Sequence, residues 1–149
     1  LEDLIDDLDD VELDEQWKAQ LARAEKAKRI RPKVPKHFDA ELRDYQTEGF
    51  AWMMRLAAWG VGACLADDMG LGKTVQALAV LTARAKEGPA LVLAPASVTR
   101  NWVRETEKFA PALTPILVAS SADAHHISEA GNGDLLFDCV EDGNLCQSA

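Results

Sequence analysis

A chain of 149 residues, 48% hydrophobic and 28% charged, has the apolar content for one globular core and not for two full domains. No apolar run reaches membrane-spanning length and no basic stretch precedes a short apolar one, so a cytoplasmic chain without membrane contact is expected. A net charge of −9 would argue against a nucleic-acid binder if it were evenly spread, but residues 1–15 hold nine acids and no base, residues 16–36 hold eight bases and one acid, and the rest is mildly acidic. Cys64, Cys139 and Cys146 leave one thiol over in any pairing and none sits in a Cys-x-x-Cys spacing, which argues against a disulfide framework.

The chain opens on Leu1 inside an acidic pattern, which reads as a cut or processed end. Leu1, Leu4, Ile5, Leu8 and Val11 recur at helical spacing among the acids, so this block reads as an amphipathic helix for a protein partner, or more plainly as solvated charge. Trp17 to Arg31 is a helix-compatible basic segment that stays solvated, pairs with the acids or touches DNA. Pro32 and Pro35 then mark an extended linker. The expected organisation is a charged helical segment over 1–36, a lobe over 37–137 and a divergent tail over 138–149.

After the linker a helix with Phe50, Met53, Met54 and Ala57 on its apolar side ends near Gly60, and a first strand over 62–66 is expected, with Cys64 a small buried thiol. The next eight residues run Asp67-Asp68-Met69-Gly70-Leu71-Gly72-Lys73-Thr74 and open a second helix. Wrapping backbone N–H groups around a polyphosphate needs glycine where a side chain would clash, at Gly70 and Gly72, and a helix N-terminus to complete the anion site. Lys73 is then placed to reach the β and γ phosphates and Thr74 to hold Mg²⁺. The general pattern has glycine where this chain has Asp67, and a glycine-rich turn that merely caps a helix is the alternative.

The second helix should bury Val75, Leu78, Ala79 and Thr82 and stop at Glu87-Gly88-Pro89. A strand over 90–94, a turn at Pro95-Ala96-Ser97 with a helix cap, a helix over 98–110 and strands over 116–119 and 134–137 complete the series. Strands alternating with helices predict an α/β fold, with a parallel sheet covered by helices on both faces. His125, His126 and Glu129 form a candidate metal trio, against the plainer reading of an exposed polar segment.

Three blocks carry a resemblance. Leu42-Arg43-Asp44-Tyr45-Gln46, then Leu65 to Thr74, then Leu91 to Ser97 with Asn101-Trp102 and Lys108 to Pro111, resemble the first ATPase lobe of Swi/Snf-type helicase-like DNA translocases, in a version of bacterial look. The family commonly has Asp-Glu-Met where this chain has Asp67-Asp68-Met69. The resemblance implies a P-loop protein with a partial RecA-like lobe that takes ATP and Mg²⁺, nucleoid-associated through double-stranded DNA. It implies that Gln46 reads adenine and that Asp68, Met69, Gly70, Leu71, Gly72, Lys73 and Thr74 hold the nucleotide. Lys73 and Thr74 would serve catalysis, and Pro95 and Ser97 would contact a nucleic-acid backbone. Trp102 reads as a packing anchor of its helix.

The same resemblance asks for a second acidic motif, Asp-Glu followed by His or Gln, and an arginine from a second lobe. Asp14-Glu15 is the one Asp-Glu pair and lies in the acidic block, and the sequence after Phe137 departs from the family's continuation, as a truncation or an altered reading frame would. Nucleotide binding without turnover is therefore expected of these residues alone. The rival readings are an RNA-directed helicase of the same superfamily and a non-catalytic interaction fragment; the Met69-Gly70-Leu71 loop and the Asn101-Trp102 pair favour the DNA translocase.

Overall fold

The computed structural model describes residues 14–118, 129–141 and 144–145; the acidic pattern of residues 1–13, the pair His125 and His126, and Cys146 lie outside them. Helix α1 (Glu15–Lys28) carries Glu15 in its first turn and Lys26 and Lys28 in its last, each charge at the helix end whose dipole favours it. Helix α2 (Asp44–Trp59) ends at Gly60, whose φ of 93° is a left-handed cap that other residues adopt only with strain. After the glycine-rich loop comes α3 (Lys73–Arg84), then a 3-10 turn (Ala85–Glu87), and Gly88 and Pro89 reverse the chain into β1 (Ala90–Pro95). Helix α4 (Ala96–Phe109) leads to β2 (Thr114–Val118), β3 (Asp134–Glu141) and β4 (Asn144–Leu145).

The strand order is β1-β3-β2, both pairings are parallel as expected, and β4 pairs antiparallel with the end of β3. In this register Val92, Phe137 and Leu117 stand abreast on one face. Leu135 and Phe137 of that face are fully buried in a core with Phe50, Leu78, Ala79, Ala110 and Leu113. Trp102 of α4 packs against Phe137, ring centroids 6.3 Å apart and tilted 49°, which makes it the anchor the sequence suggested. Leu91 and Leu93 on the opposite face are exposed. The extended stretch after α1 is fastened at three points: Arg55 Nε donates to the Ile30 carbonyl at 3.2 Å, Val34 packs on the core, and Asp39 N–H donates to the Phe109 carbonyl at 2.7 Å.

Two local expectations are corrected. Residues 62–66 form no strand, and Cys64 is exposed instead of buried. A parallel strand exists through its ladder, and the described strands pair with one another, leaving none to bond this stretch. Ser97 does not cap α4 either: the helix already starts at Ala96 with Pro95 at the cap position and no side-chain cap bond. Proline's fixed φ suits that entry, and the Thr99 hydroxyl donates to the Pro95 carbonyl at 3.1 Å.

Phe50 is the largest fully buried side chain on α2. Phe50→Ala is expected to lower stability by about 3–5 kcal/mol, seen as a fall in the urea midpoint at unchanged slope, whereas Phe50→Leu should keep most of it.

Candidate functional site

The glycine-rich loop is held from two sides. From α2, Gln46 accepts a hydrogen bond from the Arg43 N–H at 3.0 Å through Oε1 and donates to the Leu71 carbonyl at 3.1 Å through Nε2. The Tyr45 hydroxyl donates to that same carbonyl at 3.2 Å, so both lone pairs of Leu71 O are used by the start of one helix. Gly70 and Gly72 have φ of 86° and 73°, which restricts both positions to glycine without strain. At Gly72 there is a second reason, since a Cβ would stand 2.5 Å from Gln46 Nε2.

From the other side, Lys73 is the first residue of α3 and its Nζ donates to the carbonyls of Asp67 at 2.7 Å and Asp68 at 2.9 Å. The ammonium is thus folded into the concavity of the loop. No side chain caps α3, and the first backbone bond runs from the Gln76 N–H to the Gly72 carbonyl at 3.2 Å. The N–H groups of Lys73, Thr74 and Val75 are the ones a helix leaves without intrahelical acceptors. Three such donors beside a lysine suit a bound anion. Thr74 is half-buried in the first turn, Asp68 is exposed, and Met69 is 97% exposed at the tip of the loop.

Gln76 is a site residue that the sequence reading missed. Its amide is fully buried, donates through Nε2 to Asp67 Oδ2 at 3.2 Å, and leaves Oε1 without a partner and facing Gly49 of α2. The signal was available in outline: an aspartate replaces glycine at the loop's first position, and a glutamine lies on the inward side of the helix that follows.

Pro95 and Ser97 are exposed at the carboxyl end of β1 and the start of α4. Helix α3 runs about 18 Å away from the loop and β1 returns about 20 Å through the reversal at Gly88, so the loop and the start of α4 share one end of the sheet. Open α/β sheets take their ligands at that end. Among the described residues no cluster of three metal-ligating side chains occurs, and Glu129 is exposed.

Comparison with known proteins agrees with this geometry. The family model for the SNF2-related domain matches residues 45–140. A putative ATP-dependent helicase/translocase of Bacillus subtilis, YwqA, is 47% identical over 89 residues, which are 57% of this chain and 10% of that protein. The chromatin-remodeling ATPase INO80 of Sclerotinia sclerotiorum is 46% identical over 83 residues, 53% of this chain and 5% of that protein. The Sulfolobus solfataricus SWI2/SNF2 ATPase core in complex with dsDNA superposes with a TM-score of 0.64 at 39% identity, over 72% of this chain and 23% of that one. The ATPase core domain of the same organism gives 0.62 at 40% identity, over 69% and 22%. This chain therefore spans a tenth or less of the length of these two curated relatives. The matched stretch begins at Tyr45, passes through the loop that Gln46 and Lys73 organise, and ends in β3: the chain belongs to the SNF2-related domain family.

Proposed function

We propose that this chain is the ATP-binding part of a DNA-dependent ATPase that translocates on double-stranded DNA and remodels protein–DNA complexes. The observation that carries the reading is the loop itself: two left-handed glycines, an uncapped helix start and a lysine ammonium held inside the curve. The donor set fits a triphosphate, since Lys73 and the first N–H groups of α3 are all donors and carry net positive charge. Asp68 to Thr74 form the cradle, Lys73 takes the β and γ phosphates in place of the Asp67 and Asp68 carbonyls, and Gln46 reads adenine once its Nε2 leaves the Leu71 carbonyl. Mg²⁺, held through the Thr74 hydroxyl, would supply charge neutralisation at the phosphates.

Pro95 and Ser97 offer the opening of α4 to one DNA backbone phosphate. The dsDNA in the neighbouring archaeal core and the translocase title of the Bacillus relative support DNA over RNA. Turnover belongs to the protein that carries this lobe together with the second acidic motif and an arginine from a second lobe. The lobe is proposed over 37–137 with a charged segment before it and a divergent tail after it, in a nucleoid-associated, cytoplasmic protein. Among the described residues no helix is long and apolar enough to cross a membrane.

The test is nucleotide binding and hydrolysis by the protein carrying this lobe, with duplex DNA or RNA added. Duplex DNA should raise the ATPase rate by at least tenfold over RNA; equal stimulation would shift the reading to an RNA-directed enzyme, and failure to bind ATP with Mg²⁺ would remove it.

A further inference from the structure

Helices α1 and α2 pack side by side and leave a groove of about 590 Å³ between them, away from the phosphate loop's residues. Trp17 and Leu21 line it from α1, and Trp52, Leu56 and Trp59 from α2. Trp17 and Trp52 are 43% and 38% exposed, a costly arrangement for aromatic rings unless something covers them. Basic groups border the groove at Arg55 and Lys28, and α1 adds Lys18, Arg23 and Lys26. Its lining acid, Glu25, is paired with Lys28 at 2.6 Å, and that bond and charge hold its carboxyl below the usual range.

We infer that residues 1–11 of this same chain lie in the groove as a helix antiparallel to α1. Their chemistry is complementary: residues 1–13 hold seven acids and no base, and Leu1, Leu4, Ile5, Leu8 and Val11 form one apolar stripe. Their length also fits, since eleven helical residues span about 16 Å and the stretch of α1 from Trp17 to Lys28 about the same. Connectivity supplies the reversal. Asp14 has φ −54° and ψ 145°, so α1 does not continue upstream, and Glu12 to Asp14 are enough for the short loop of an antiparallel helix pair. Because the segment is joined to α1, its effective concentration at the groove is about millimolar before any contact is counted. The amphipathic block that the sequence offered to a protein partner thus has its receptor within the chain.

Hydrogen exchange with mass spectrometry on the protein carrying this lobe tests the inference. Amides of residues 1–11 should exchange at least tenfold more slowly than an unstructured peptide, and both a segment variant, Leu4→Asp with Leu8→Asp, and a groove variant, Trp52→Ser, should restore fast exchange. The segment variant changes nothing in the core of the lobe, and Trp52 is partly exposed, so both leave a folded lobe in which to read the result. Fast exchange in the unaltered protein would overturn the inference, as would protection that survives Trp52→Ser. Protection that grows with protein concentration would assign the groove to a second copy, and protection that needs another protein would assign it to that partner; either result overturns docking within the chain.

Discussion

Lys73→Ala, in the protein that carries this lobe, is expected to lower DNA-stimulated ATP turnover by about 10²–10³-fold or more while leaving the affinity for duplex DNA within twofold. The loss has two sources. The ammonium neutralises phosphate charge where water is excluded, and such a donor contributes far more there than at a surface. It also occupies the loop at rest, where its bonds to the Asp67 and Asp68 carbonyls hold two acceptors turned inward. Removing it leaves those carbonyls facing any phosphate that enters, so nucleotide affinity should fall along with the rate. Lys73→Arg should rescue little, because a planar fork does not replace a compact ammonium between two carbonyls and an incoming phosphate. Steady-state hydrolysis with and without duplex DNA, together with fluorescence anisotropy of labelled duplex, separates the two effects. Turnover retained at a tenth or more of the original rate would refute the role of Lys73.

Much of this site was legible because its signals are local. A helix stop at Gly60, a reversal at Gly88-Pro89 and glycines at Gly70 and Gly72 follow from backbone restrictions of single residues, and all four positions have left-handed or otherwise positive φ. The parallel pairing also follows from spacing, since a helix between two strands forces a crossover. What failed depended on distant partners. Residues 62–66 have strand composition, but a strand needs a neighbour, and no described strand supplies one. Cys64 went wrong for the same reason. Gln76 was passed over because its importance comes from two contacts across the chain, one to Asp67 and one to Gly49, and neither shows in the periodicity of α3. Gln46 was found through its motif, yet the motif gives no hint that its amide at rest bonds the Leu71 carbonyl.

The Gly49–Gln76 contact yields an expectation with the opposite sign to the helix-propensity rule. Glycine inside α2 should be weaker than alanine by about 0.5–1 kcal/mol, so Gly49→Ala would ordinarily stabilise. Here a Cβ at position 49 runs into Gln76 Oε1, and the fully buried amide can only withdraw by releasing Asp67. A buried amide left without its bond costs about 1–3 kcal/mol, more than the propensity gain, so Gly49→Ala should destabilise by roughly 1 kcal/mol. It should also weaken ATP binding, because Asp67 contributes both its side chain to Gln76 and its carbonyl to Lys73, and loosening one end of the loop displaces the other. The double variant Gly49→Ala with Gln76→Ala isolates the contact. With Oε1 gone the added methyl group meets no obstacle, and the propensity gain should return relative to Gln76→Ala alone, giving a coupling energy of about 1–2 kcal/mol. Urea denaturation of the four proteins measures that coupling, and ATP titration of the same four reports on the loop. A Gly49→Ala protein at least as stable as the original would show that Gln76 moves aside freely, and that the buried bond to Asp67 does not hold the phosphate loop in place.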